Sequence, residues 1–322
     1  METRDNGGKR ICLLGATGTI GRATLRALVA RGYQVVCFVR AITPCEGAAA
    51  RVVDLANLES IRRDGFAGET FDAVVSCMAS RTGVPKDAWA VDYQAQVNVL
   101  AAAREAGVRQ FVLLSAICVQ KPLLAFQHAK LAFEKALFDS GMIYSIVRPT
   151  AFFKSLSGQI KRVQAGKNFL LFGDGTLTAC KPISDGDLAA YLVDCLEDER
   201  LWNRVLPIGG PGAAITPRQQ GEFLFARMGL APRFKHVPVR LLDVIIAMLG
   251  AVGRILPAAA AKAELARIGR YYATESMLVW DPVARRYDAA ATPATGGETL
   301  FDYYEAVLAG AAEAERGEHA VF

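Results

Sequence analysis

The 322-residue chain is poor in the side chains that build metal and thiol centres. It has three histidines, His128, His236 and His319, and its seven cysteines form no Cys-x-x-Cys pair. No zinc or iron–sulfur ligand spacing is present, so no metal of its own is expected. Cys12, Cys37, Cys77 and Cys118 lie in apolar segments and read as buried free thiols of a reducing compartment. Long hydrophobic runs are missing as well. A spanning helix needs about 18 uncharged apolar residues, and the richest stretch, 239–257, is broken by Arg240, Asp243 and Arg254. Basic blocks are absent: 37 Lys and Arg and 32 Asp and Glu are scattered, for a net charge of +5. That argues against nucleic acid as the main partner and suits an anionic small ligand or an anionic membrane surface. The opening METRDNGGKR resembles neither a secretory signal nor a transit peptide, so cytoplasmic residence is expected, with peripheral membrane contact left open.

What the chain does have is core material, with 52% hydrophobic residues, in an alternating rhythm. The runs Arg10–Leu14, Gln34–Arg40, Arg51–Asp54, Asp72–Cys77, Gln110–Ser115 and Ile143–Arg148 are near-continuously apolar, as strands buried on both faces are. Helical periods over Thr19–Arg31, Leu58–Arg63, Ala88–Ala106 and Phe126–Ser140 separate them. Gly32, Gly107 and Gly141 punctuate the ends. This predicts an α/β fold, a Rossmann-like doubly wound parallel sheet. After Pro149 the rhythm loosens into a smaller, mostly helical C-terminal lobe. There, Asn168–Phe172 and Thr178–Ile183 are expected to pair about the turn Gly173-Asp174-Gly175. Helices are expected from Ser184 or Asp185 to about Cys195, from Thr216-Pro217, and over Leu241–Ile255, Ala258–Tyr271 and Glu298–Leu308. The organisation is a nucleotide-binding domain over 1–150 and a substrate-binding lobe over 151–322, with sheet elements returning to the first.

Gly15, Ala16, Thr17, Gly18, Thr19, Ile20 and Gly21 join the first strand to the first helix. Glycines at this spacing permit a tight turn, close approach to a pyrophosphate and helix-on-sheet packing, and the free N–H groups of the helix start face the anion. At the end of the second strand stands Arg40, where an NAD enzyme places an acid for the ribose hydroxyl. A guanidinium there pairs with a 2′-phosphate, so NADPH is the expected cofactor. Asp54 and Leu55, after the third strand, are expected beside the adenine.

The glycine motif, with Ser115, Lys130 and Phe126 at the positions of a Ser/Tyr-x-x-x-Lys set, resembles the short-chain dehydrogenase/reductase superfamily in its atypical NmrA-like and isoflavone-reductase-like branch. The segments KRICLLGATGTIGRATLRALVARGYQVVCFVR, FVLLSAICVQKPLLAFQHAKLAFEKAL and IVRPTAFFKSLSGQ, with the ending TLFDYYEAVL…ERGEHAVF, resemble the divinyl chlorophyllide 8-vinyl reductase family of chlorophyll and bacteriochlorophyll synthesis. The absence of a plastid-type leader points to the bacterial form. The resemblance implies an NADPH-dependent reduction of a tetrapyrrole vinyl group to ethyl, on a magnesium-containing divinyl chlorophyllide or protochlorophyllide. An NADP-binding redox sensor without turnover is the rival reading, and an accessory subunit of a membrane complex is a third.

Phe126 has no proton to give, so reduction of a ketone by the tyrosine route is excluded. A conjugated vinyl group removes the need, because charge left by hydride addition spreads over the macrocycle. Lys130, one helical turn from Phe126, and Ser115, at the carboxyl edge of the sheet, are the catalytic candidates. Lys130 is expected to hold the nicotinamide ribose, with Pro149 and Thr150 at the nicotinamide end. Phe126, His128, Phe152, Phe153 and His236 are the candidates for contact with the pigment, the two histidines as ligands of its magnesium. The apolar stretch Val239–Leu256 reads as core, as a wall of the pigment pocket or as a membrane-facing helix.

Overall fold

The computed structural model describes residues 8–312, so the closing ERGEHAVF lies outside the described residues. The apolar runs become strands β1 (Arg10–Leu14), β2 (Gln34–Val39), β3 (Ala49–Val52), β4 (Ala73–Ser76), β5 (Gln110–Leu114) and β6 (Ile143–Pro149). All join one parallel sheet in the order β3-β2-β1-β4-β5-β6, which a further strand, β8 (Arg204–Ile208), extends beyond β6. Alternation along β1 fixes the two faces. Ile11 and Leu13 point into one apolar layer, with Leu25 and Leu28 of the Thr19–Ala30 helix. Cys12 and Leu14 point into the other, with Val99 and Leu100 of the Gln96–Glu105 helix and Phe133 and Leu137 of the Ala125–Phe138 helix. Burial on both faces is why the central strands are mainly apolar, whereas the edge strand β3 is largely exposed.

Strand β8 (Arg204–Ile208) was not foreseen as a separate strand. It contains Pro207, which lacks an N–H and fits only where a ladder bond can be spared, and β8 is the sheet's edge. The chain reaches it through the Asp185–Asp194 helix, capped by Ser184, which packs on the Thr19–Ala30 helix through Leu188 and Leu192. Residues beyond 150 therefore complete both the sheet and one of its covering layers.

The expected pairing of 168–172 with 178–183 is corrected. Strand β7 (Phe169–Phe172) pairs in parallel with β9 (Phe234–Val237). The turn at Gly173 and Gly175 forms with positive φ, but Arg218 and His236 engage the carbonyls of Asp174 and Gly173, and the chain leads away. Cys180 bridges to Ile215 and Met277 instead. Edge-to-face contacts of Phe234 with Phe169 at 6.2 Å and with Phe225 at 5.9 Å hold β9 beside β7. A hairpin of β10 (Val279–Asp281) and β11 (Arg286–Asp288) follows two long helices. Between β6 and β7 the chain forms two short helices, Phe153–Leu156 and Ile160–Gln164.

Those long helices, Val239–Gly253 and Pro257–Thr274, form an antiparallel pair. A Cβ on Gly253 would lie 2.8 Å from the Ala260 backbone, so the glycine allows the helices to close at their joint. The first helix contains no buried residue, which overturns its reading as core.

Candidate active site

The order of the strands reverses between β1 and β4, where open α/β sheets bind ligands at their carboxyl edge. Gly15 lies there with φ +74°, and a Cβ would come within 2.7 Å of the Cys77 carbonyl group. Gly18 caps the Thr19–Ala30 helix with extended backbone and no side chain over the helix start. A Cβ on Gly21 would sit 1.9 Å from the Gly15 carbonyl oxygen. Thr17 and Gly18 are exposed, Thr19 is half-buried, and Ile20 packs into the core. This cradle of bare backbone N–H groups fits a pyrophosphate. The Lys154 ammonium donates to the Thr19 hydroxyl at 3.0 Å, bringing a cation from beyond β6 to the cradle that the sequence motif does not contain.

Arg40 follows β2, exposed and without an ion pair among the described residues. Asp54 is also exposed, its carboxylate accepting the Ala56 N–H at 3.0 Å, and Leu55 packs against the neighbouring core.

A cavity of about 350 Å³ opens at the same edge of the sheet, a volume within the usual range for ligand pockets. It brings together Ser115, Phe126, Lys130, Pro149, Thr150 and Phe152. It leaves out three expected pigment contacts. Phe153 is buried against Tyr303, with ring centroids 5.6 Å apart, and belongs to the core of the second lobe. His128 is exposed on its helix. His236 is exposed on β9, its Nδ1 2.7 Å from the Gly173 carbonyl oxygen. The wall expected from Val239–Leu256 is supplied by the partner helix, through Ile268, Gly269, Tyr272 and Ala273.

Most of the lining is apolar, and its ionisable members divide into two kinds. Burial pushes the Cys118 thiol and the Tyr272 hydroxyl above their ordinary values, and the Cys180 thiol up to about 12. These groups are neutral at physiological pH and poor nucleophiles. The charged members are Asp92, Lys130 and Glu275. Glu275 is paired with Lys121 at 2.7 Å and accepts from the Tyr287 hydroxyl. Lys130 is paired with Asp92, Nζ to Oδ1 at 3.0 Å, with both side chains largely withdrawn from solvent.

Asp92 is the residue the sequence reading missed. It lies within a wide helical turn, Trp89–Ala95, where hydrogen bonds run i to i+5, a departure frequent at functional sites. The only sequence signal was an acid inside the apolar helical stretch 88–106. Ser115 lines the cavity just after β5, at the expected carboxyl edge of the sheet. Its hydroxyl donates to the buried Glu134, which also binds Arg148. Its proton is thus engaged below the cavity floor.

Residues 15–199 match the family model for NAD(P)H-binding proteins. The chain is 48% identical to the chloroplastic divinyl chlorophyllide a 8-vinyl-reductase of Cucumis sativus, over 97% of this chain and 79% of that protein. It is 47% identical to the enzyme of that name from Oryza sativa subsp. indica, over 97% and 82%. Among solved structures, the NADPH-dependent quinone oxidoreductase QOR2 of Escherichia coli, complexed with NADPH, superposes with a TM-score of 0.67 at 19% identity. That match covers 92% of this chain and 99% of the other.

Proposed function

Since the chain belongs to the divinyl chlorophyllide a 8-vinyl-reductase family, we propose that it reduces the 8-vinyl group of divinyl chlorophyllide or protochlorophyllide to ethyl, with NADPH as the reductant. The observation that carries this reading is Phe126 beside Lys130 in an apolar cavity at the nucleotide edge of the sheet. A ketone reductase would need a donor where the phenyl ring stands. The bound nicotinamide supplies a hydride. Gly15, Gly18 and Gly21 receive the pyrophosphate, and Arg40 the 2′-phosphate. Pro149 and Thr150 meet the nicotinamide end. The Thr150 hydroxyl donates to the Lys181 carbonyl and its N–H to that of Ile208, so the loop after β6 is held in place. Phe126, Phe152 and the Ile268–Ala273 wall exclude water and orient a flat, greasy ring. Incubation with NADPH and divinyl chlorophyllide tests the reading: turnover shifts the Soret band to the blue, whereas a redox sensor binds the cofactor and leaves the band in place.

Arg40→Ala is expected to raise the NADPH dissociation constant about 10- to 100-fold while leaving NADH binding nearly unchanged. That corresponds to the about 1.5–3 kcal/mol of a hydrogen bond to a charged group. Titration of nicotinamide fluorescence measures both. Equal losses for the two cofactors would remove the 2′-phosphate assignment.

The reading also favours contact with an anionic lipid surface. No helix of the described residues is long and apolar enough to cross a membrane. Yet Leu241, Val244, Met248 and Val252 line one exposed face of the Val239–Gly253 helix, continued by Ile255 at 84% exposure. Arg240 and Arg254, both exposed, precede Leu241 and Ile255 in the chain. Its partner helix walls the cavity, so an amphiphilic substrate would pass from lipid to site across one helix pair. Cosedimentation with phosphatidylglycerol vesicles is expected, and Val244→Glu/Met248→Glu is expected to abolish it with turnover in detergent intact. Equal pelleting of the double variant would dismiss this surface.

A further inference from the structure

The second hydrogen of the reduction needs a source, and the apolar cavity offers few. Cys118 and Tyr272 hold their protons tightly because both are buried. The Ser115 hydroxyl is spent on Glu134. Glu275 is tied to Lys121 and Tyr287. Lys130 remains, with a side chain 12% exposed, against an Asp92 side chain that is wholly buried. Asp92 is unusual in a second respect. Its Oδ1 accepts from Lys130 and from the Ser80 N–H at 3.3 Å, whereas Oδ2 is buried with no hydrogen-bond partner. A carboxylate with an unsatisfied oxygen in a cavity wall is costly unless something in the working state uses it.

We infer that Asp92 is a positioning residue that holds the Lys130 ammonium in the cavity wall, and that this ammonium delivers the proton that completes the reduction. The inference rests on the vinyl-reductase reading. Hydride bonds to the terminal vinyl carbon, and the π pair moves to the inner carbon, shared with the macrocycle. A C–H bond then forms there as an N–H bond of Lys130 breaks, leaving a neutral amine. Solvent recharges the amine, with the free Oδ2 as an acceptor for the incoming water. Around Lys130, the titratable groups from other elements are Asp92, Cys118, Tyr272 and Glu275, of which Asp92 alone pairs with it. On its own helix, Glu134 is bound to Arg148 and Ser115, and His128 is exposed.

Asp92→Asn should lower kcat about 100-fold, the usual reach of a general acid, with a much smaller change in the NADPH dissociation constant. The loss should fall on kcat, with the KM for the pigment nearly unchanged, and the solvent deuterium isotope effect on kcat should grow as proton delivery becomes slow. Asp92→Glu should recover a good part of the turnover. Should Asp92→Asn not fold, Lys130→Arg decides, since a guanidinium pairs with Asp92 but does not release its proton: NADPH should bind while turnover falls about 100-fold. A normal kcat or an unchanged solvent isotope effect in Asp92→Asn, or near-normal turnover in Lys130→Arg, would overturn the proposal. Wild-type protein in the same assay separates the two levels, because an inert wild type refutes the vinyl-reductase reading itself.

Discussion

Gly21→Ala is expected to abolish useful cofactor binding, raising the NADPH dissociation constant by about 100-fold or more, equivalent to about 2.7 kcal/mol. The added methyl carbon would lie 1.9 Å from the Gly15 carbonyl oxygen and 2.7 Å from its carbonyl carbon. Both are backbone atoms, so no rotamer change relieves the clash. Gly15 cannot retreat, because a Cβ at its own position would already meet the Cys77 backbone at 2.7 Å, which shows how closely that chain approaches. The helix start must therefore move off the sheet, and the N–H groups that would face the pyrophosphate lose their aim. Overpacking of this kind also costs about 1–3 kcal/mol of stability, so the melting temperature should fall. Gly32→Ala is the control. Gly32 also has positive φ, but a Cβ there meets nothing within 4 Å. It should cost some stability through backbone strain and leave NADPH affinity intact. A Gly21→Ala protein that binds NADPH normally would show that the cradle is not the pyrophosphate site.

Glu134→Ala is expected to be the most destabilising single change near the site, by about 3–5 kcal/mol, because it leaves a buried charge without its partner. Glu134 is 5% exposed and binds both Arg148, at the end of β6, and Ser115, just after β5. It thereby ties the Ala125–Phe138 helix, which carries Phe126 and Lys130, to the carboxyl ends of two strands. Removing it strands the Arg148 guanidinium and frees the Ser115 hydroxyl together. Urea unfolding measures the loss. Glu134→Leu combined with Arg148→Met should recover much of it, since apolar replacement of a whole buried pair is often neutral or better. A loss below about 1 kcal/mol for Glu134→Ala would mean that water reaches the pair and screens it as at a surface.

The parts of this molecule that were legible in the sequence share one property: their signal is local. The central first-half strands are mainly apolar because both of their faces are covered, and that shows in four to six consecutive residues. The glycine cradle is readable because strand, turn and helix start follow one another within a dozen residues. Helix starts at Ser184, Thr216 and Thr299 announce themselves through side chains that cap backbone N–H groups three residues on.

The misreadings share the opposite property. The partner of β7 stands some sixty residues away in β9, chosen by the packing of Phe234 on Phe169 and Phe225. The neighbouring run 178–183 was a sequence neighbour without being a spatial one. Phe153 and Phe152 are adjacent in the chain, yet one faces the second lobe's core and the other the cavity, a distinction set by the backbone turn after β6.

The sequence by itself determined six of the sheet's seven strands, the glycine turn after the first of them, the missing tyrosine at Phe126 and the family, because composition, spacing and identity of neighbouring residues carry that information. Tertiary structure alone decided which side chains share the cavity. Asp92 and Lys130 are thirty-eight positions apart and come within 3.0 Å only because two helices on the same face of the sheet converge at its carboxyl edge. His128 and His236 leave the site for the same reason in reverse. A side chain's direction on a helix or strand is set by what the opposite face must bury, and for both histidines that direction is toward solvent.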